Sequence, residues 1–151
     1  MGFLETSQQF STFDLIKGIL KTSSILSTRF KDNNYEEYFP NLASLSLSNL
    51  PLIVIEIPPS DIPVNVTVNQ KVKLKTFTVP ITLINSFEAR SKVKDYINAI
   101  VDTIEGASNT FESSNYYDPV ISFEGTDLGL IQGKTAIRSE FVLTLTAHTQ
   151  R

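Results

Sequence analysis

Residues 62–84 read IPVNVTVNQKVKLKTFTVPITLI, twenty-three residues of nearly unbroken alternation between apolar and polar side chains. Strands in compact proteins run to about 5 or 6 residues, and at roughly 3.3 Å per residue this run would span about 70 Å if straight. The alternation also changes phase. Val64, Val66, Val68, Val72 and Leu74 hold even positions, whereas Phe77, Val79, Ile81 and Leu83 hold odd ones. Side chains alternate with period two, so a phase change predicts a reset of facing: a turn or bend near Asn69-Gln70 and a bulge near Lys75-Thr76. The stretch divides into a projecting arm from Ile62 to Lys75 and a core strand from Thr76 to Ile84 whose odd positions face inward. The apolar face of the arm, Val64, Val66, Val68, Val72 and Leu74, is exposed in a monomer and is covered only if a neighbour buries it.

Upstream, Leu52-Ile53-Val54-Ile55-Glu56-Ile57 is a short apolar run bounded by Pro51 and Pro58-Pro59, the pattern of a buried strand. A helix is expected from about Ser11 to Arg29, with Phe13, Ile16, Ile19 and Leu20 as its apolar stripe and residues 1–10 as a flexible lead-in. Downstream, a second helix is expected from Asn85 or Ser86 to Glu105, with Val93, Ile97, Ile100, Val101 and Ile104 at helical spacing and Gly106 as its stop. Pro80 predicts an edge or bulge position for its strand. The last third predicts two strands, Val120 to Glu124 and Ala136 to Ala147, joined by a glycine-rich connection. The order helix, strand, strand, helix, strand, strand predicts an α+β fold: a mainly antiparallel sheet of about four strands with two helices on one face, plus the projecting arm at about 58–75. One domain over residues 1–151 is expected.

A formal net charge of -3 and a pI near 5.1 argue against a dedicated nucleic-acid binder, which needs a basic face. With no cysteine there is no disulfide, thiolate metal site or cysteine nucleophile. No basic flank followed by an apolar run opens the chain, so no signal peptide is expected, and no apolar stretch has the length of a membrane span. Met1-Gly2-Phe3-Leu4-Glu5-Thr6 fits the loose myristoylation pattern without the polybasic second signal that stable anchoring needs. Asn65-Val66-Thr67 fits a glycosylation sequon but reads as the polar face of an alternating strand.

Catalytic chemistry finds few candidates. His148 is the only histidine and lies near the C-terminus, away from any core that would hold it as a base. Asp118, Glu124 and Asp127 lack the ligand spacing of a calcium loop. Gly125, Gly129 and Gly133 match no phosphate-cradling motif, and their segment reads as a flexible connection between strands. No catalytic residue, cofactor or metal site is expected. Lys71, Lys73 and Lys75 fall on one face of the arm, either protecting an edge from unwanted pairing or facing phosphate or an acidic partner. Tyr35, Tyr38 and Phe39 sit in a loop-like segment, as a lid on the core or as interface anchors.

The leading amphipathic helix, the proline-bounded LPLIVIEIPP, the long KVKLKTFTVPITLI, the helix of SFEARSKVKDYINAIVDTI and the closing TAIRSEFVLTLTAH, in that order, resemble tail-terminator and tail-completion proteins of long-tailed bacteriophages. The likeness is one of element order and covers about Ser11 to His148. It implies a structural virion protein of the tail or neck, assembled in the host cytoplasm into a homo-oligomeric, hexameric ring. Such a ring caps the tail tube protein, ends tube polymerisation and offers a surface for head-tail joining to the head-side connector protein. The resemblance further implies that the arm crosses to a neighbouring subunit and that Lys71, Lys73 and Lys75 line a lumen with only passing contact with DNA. Neither catalysis nor a membrane is part of that role. Two other readings are a head-side neck adaptor and a ferredoxin-like cellular module that binds a ligand or regulates, which would remain a monomer or dimer with a concave pocket.

Overall fold

A computed structural model of the chain describes residues 4–37, 49–57, 64–66, 72–131 and 133–150; for 4–11, 64–66, 72–75 and 148–150 it describes the backbone. The fold is α+β. Helices α1 (Leu4–Lys21) and α2 (Ser24–Arg29) are followed by a 3-10 turn, Asp32–Asn34, and strands β1 (Tyr35–Glu36), β2 (Leu52–Ile55), β3 (Val64–Val66) and β4 (Val72–Ser86). A 3-10 turn, Phe87–Lys92, leads into α3 (Val93–Glu105) and α4 (Ser108–Ser113), and β5 (Tyr116–Ile131) and β6 (Lys134–Gln150) close the chain. Among the described residues the sheet has six strands, in the order β1-β2-β4-β6-β5 with β3 paired to β4 beyond the end of β2. It is antiparallel except between β1 and β2. Strands β4 and β5 run in the same direction with β6 between them, so β4, the helices and β5 form a split β-α-β unit.

Odd positions of β2, β4 and β6 (Ile53, Ile55, Phe77, Val79, Ile81, Leu83, Phe141, Leu143, Leu145) meet Ile16, Leu20, Leu26, Phe30, Ile100, Ile104 and Phe111 in one core. All four helices therefore cover the same face of the sheet. Helix α3 carries its stripe at helical spacing and buries Val93, Tyr96, Ala99, Ile100 and Ile104. Helix α2 is short and held at its start by Ser23, whose hydroxyl accepts from the Leu26 amide at 3.3 Å. Beyond it Phe30 meets Tyr96 edge to face with centroids 5.1 Å apart. The 3-10 turn after α2 is tied to α1 by ion pairs of Asp32 with Lys21 and Lys17; hydrogen bonding and charge from Lys21, then charge from Lys17, hold the Asp32 carboxyl below its ordinary range.

Several details differ from the sequence-based expectation. Among the described residues the sheet has six strands where about four were expected, and four α-helices stand where two were expected. Residues 4–10, expected as part of a flexible lead-in, belong to α1, and the helix expected to Arg29 breaks at Thr22-Ser23. There the Thr22 hydroxyl and amide both turn back to the Ile19 carbonyl, the local competition that makes Ser and Thr poor mid-helix residues. The second helix starts at Val93, because β4 continues through Asn85 and Ser86. Gly106 does end it, but with φ of -84°, so no left-handed cap is used.

Strand β4 pairs with β6 in unbroken register from Val72↔Gln150 to Ser86↔Ala136. The bulge expected at Lys75-Thr76 is absent, and Lys73 and Lys75 occupy the same face as Phe77, Val79, Ile81 and Leu83. From Phe77 to Leu83 these positions are buried under the helices, and Lys73 and Lys75 continue the same row along the strand. Pro80 is likewise not at an edge: β4 is central, paired to β6 through Pro80↔Val142. The Glu56 amide donates to the Pro80 carbonyl at 2.9 Å, and proline has no N–H to return the bond. β2 accordingly ends at Ile55↔Ile81, one residue earlier.

Candidate assembly surface

The second face of the sheet has its own small core at one end, where Leu50, Leu52, Val54, Ile84, Ile131 and Ala136 pack together. Elsewhere its described side chains mix threonines with Pro80, Val120 and Val142, all exposed or half-buried except Thr82. Thr78 and Pro80 are exposed, and Thr76 and Thr146 face each other across β4 and β6 at 3.4 Å between hydroxyl oxygens. An antiparallel sheet covered on one side has this composition.

The exposed apolar side chains concentrate on β5. Of the six large exposed ones among the described residues, Val120, Phe123, Leu128 and Leu130 belong to this strand, and the last two are 66% and 68% exposed. β5 is an outer strand, paired only with β6 among the described residues. Two irregularities shape it. One shift in register, between Tyr117 and Val120, contains Asp118 at φ 53° and Pro119; the other lies between Phe123 and Gly125, with Gly125 at φ 138°. The second resets the facing, as bulges do. Before it Ile121 and Phe123 share the helix side with Leu143 and Phe141, and after it Leu128 shares that side with Ile137 while Ile131 turns into the second core. Leu128 and Leu130 thus stand on the helix side of the sheet, beyond the cover of the helices. Their pairing continues to Ile131↔Lys134, and Gly133 adopts φ 78° in the two-residue connection. The phase reset expected in β4 is found here instead.

This surface was missed by the sequence-based reading, in which EGTDLGLIQGK is a flexible connection; it is strand as far as Ile131. The signal was the alternation of Leu128 and Leu130 with Asp127, Gly129 and Ile131, followed by a glycine at a two-residue turn.

The arm is a hairpin. Val64↔Lys75, Asn65↔Leu74 and Val66↔Lys73 pair antiparallel, so the chain reverses between Val66 and Val72. Asn69 and Gln70, expected to turn it, lie outside the described residues, as do Val68 and Lys71. The register corrects the expected single valine face. Val64 and Val66 share the helix side with Lys73 and Lys75, while Val72 and Leu74 fall on the other side. Of the two roles expected for Tyr35, its burial fits a lid on the core and not an exposed interface anchor: it is 4% exposed, its ring lies 6.0 Å from that of Phe30, and burial, followed by the nearby Asp32 charge, pushes its hydroxyl up to about 12. Tyr38 and Phe39 lie outside the described residues.

His148 pairs by backbone with Leu74 near the end of β6. Asp118, Glu124 and Asp127 are exposed along β5; Glu124 accepts from the Ser122 hydroxyl at 2.6 Å, and Asp127 stands opposite Arg138. Among the described residues no group of three His, Asp or Glu side chains comes together as a metal site. Among the same residues no helix is long and apolar enough to cross a membrane. A groove of about 200 Å³ at this end of β5 is lined by Ile84, Asp127, Leu128, Leu130, Ile131 and Arg138 among others. Neither a protein-family model nor a curated protein matches the chain.

Proposed function

We propose that the chain is a structural virion protein of the tail-terminator type, which assembles into a ring on the last layer of a phage tail tube, ends its growth and offers a joining surface to the head side. The observation that carries this reading is the outer strand β5, where Val120, Phe123, Leu128 and Leu130 stay exposed beside a row of backbone groups that no other described strand pairs. A lone domain keeps that surface wet, whereas a neighbouring subunit buries it. The order of elements behind the resemblance adds to the reading, as does the arm that carries the sheet past β2. Homo-oligomers with closed rings need two different complementary patches on each copy, and the outer strands β3 and β5 differ in sequence, length and charge.

The lysine stripe fits a lumen only in one orientation of the ring. Lys73 and Lys75 lie on the helix side of the sheet by register, so they approach passing DNA only if that side faces inward.

The test is direct. Purified protein added to growing tail tubes should cap one end, visible by electron microscopy as a terminal disc, and arrest elongation. Tubes that lengthen at an unchanged rate with bare ends would remove the terminator role. Rings that bind the portal side of isolated heads instead would favour a neck adaptor.

A further inference from the structure

We infer that residues 125–131 of β5 pair antiparallel with the outer edge of β3 in a second copy of this chain, so that the sheet continues from one subunit into the next. This contact supplies the interface of the assembly proposed above, and rests on that reading only for closure into a ring.

Four features select this occupant. The first is an unblocked edge. Residues 125–131 hold regular register with β6 and contain neither lysine nor proline, the residues that commonly protect outer strands. The first half of β5 is blunted by Pro119 and two register shifts. Strand direction is the second. β5 runs with β4 and β3 runs against it, so copies placed side by side in one orientation bring β5 and β3 together antiparallel, each edge offering N–H and C=O groups that no described strand pairs.

The third is facing. Leu128 and Leu130 are exposed on the helix side of the sheet, and Val64 and Val66 hold helix-side positions by register. Pairing the two edges sets leucine beside valine on one face, the cross-strand contact that stabilises sheets. Charge is the fourth. β5 carries Asp118, Glu124 and Asp127 and no cation, while the only charges between residues 62 and 87 are Lys71, Lys73 and Lys75. Two β5 edges would repel each other; a β5 edge and the arm attract. Asp127 lies on the open side and the positions of Lys73 and Lys75 on the helix side, so these charges steer approach and reject self-pairing without forming direct ion pairs. β3 and residues 125–131 occupy diagonally opposite corners of the sheet. Each copy is therefore offset along the strands from the last, and closure requires tilted strands, as in a barrel.

The absence of cysteine makes the test clean. In the full chain, Val66→Cys with Leu128→Cys, treated with a short bis-maleimide, should give a ladder of dimers, trimers and larger species, while either single variant should not extend beyond dimer. A double variant left monomeric at concentrations where the unmodified chain assembles overturns the contact, as does equal dimer formation by Leu128→Cys alone. Independently, Leu128→Lys with Leu130→Lys should weaken self-association by about tenfold or more in sedimentation, with unchanged far-ultraviolet circular dichroism. If that variant still forms rings as the parent does, the ring reading stands and the edge contact falls. If the parent grows open filaments that the variant cannot form, the contact stands and the capping ring falls. A parent that stays monomeric at every concentration overturns both.

Discussion

The hydroxyls of Thr12 and Tyr116 are hydrogen-bonded inside the protein, joining α1 to the first residue of β5 across 104 positions of sequence. Thr12 is 1% exposed and Tyr116 3%, and the Tyr116 ring meets Phe77 edge to face at 6.0 Å. The first helix is thereby pinned to the strand that carries the exposed leucines. Tyr116→Phe keeps the ring and removes the hydroxyl. It should cost about 1–2 kcal/mol, a fall in melting temperature of about 2–8 °C for a chain of this size. An unchanged melting temperature would show that the bond adds nothing net to stability.

Tyr35 makes the opposite case. Its hydroxyl is buried without a hydrogen-bond partner among the described residues, so Tyr35→Phe should leave stability at neutral pH unchanged or raise it by about 1 kcal/mol. The same burial sets a pH dependence. An unfolded tyrosine ionises near 10, whereas Tyr35 in the fold holds its proton to about 12, and burial also raises Tyr116 and Tyr96. Above pH 10 the folded state therefore binds more protons than the unfolded one. The contribution is fully present below about 10 and is lost as pH rises toward 12. Denaturant titrations across that window should show stability falling, and falling less steeply in Tyr35→Phe. Parallel slopes in parent and variant would rule out Tyr35 as a source.

Much of the core was legible in the sequence, and its limits have a physical cause. The spacing of Val93, Ile100 and Ile104, the proline-bounded run around Ile53, and the odd positions 77 to 83 all report faces buried on a helix or strand, and those faces are buried. Alternation reports environment as well as backbone geometry, however. The switch from Val72 and Leu74 to Phe77 and Val79 was expected to mark a bulge, yet β4 keeps unbroken register with β6, and the apolar residues change faces along a continuous ladder. A change in which face is apolar is not by itself a break in the strand. The reset in β5 is geometric, and it was hidden because Gly125, Gly129 and Gly133 read as loop residues. A glycine at a bulge and a glycine at a two-residue turn look alike until the register between strands is known.

Gly125 has a specific conformational duty. At φ 138° it occupies backbone space that other residues rarely adopt, although a Cβ there would meet nothing within 4 Å. Gly125→Ala should therefore cost about 1–3 kcal/mol through backbone strain alone. If β5 relieves that strain by losing the bulge, Ile131 leaves the second core and Leu128 rotates to the open side. Hydrogen exchange at residues 126–131 should then accelerate ahead of global unfolding. A variant as stable as the parent, with unchanged exchange, would mean that the bulge does not depend on glycine.

Leucine at two positions separates folding from assembly. Leu143 is fully buried in the middle of β6, between β4 and β5 and beneath the helices, whereas Leu128 on the outer strand is 66% exposed. Removing a buried leucine side chain loses its transfer free energy and leaves a cavity in a dense core, so Leu143→Ala should cost about 2–5 kcal/mol. Leu128→Ala removes atoms that already touch water and should shift stability by no more than about 0.5 kcal/mol. If the β5 edge is an interface, the second variant should nonetheless weaken self-association, because the side chain becomes buried only when a neighbour arrives. Urea denaturation at low protein concentration and sedimentation at high concentration measure the two effects separately. A Leu128→Ala chain that loses stability as Leu143→Ala does would place Leu128 in the core of the monomer, and one that keeps both stability and association would remove it from the interface.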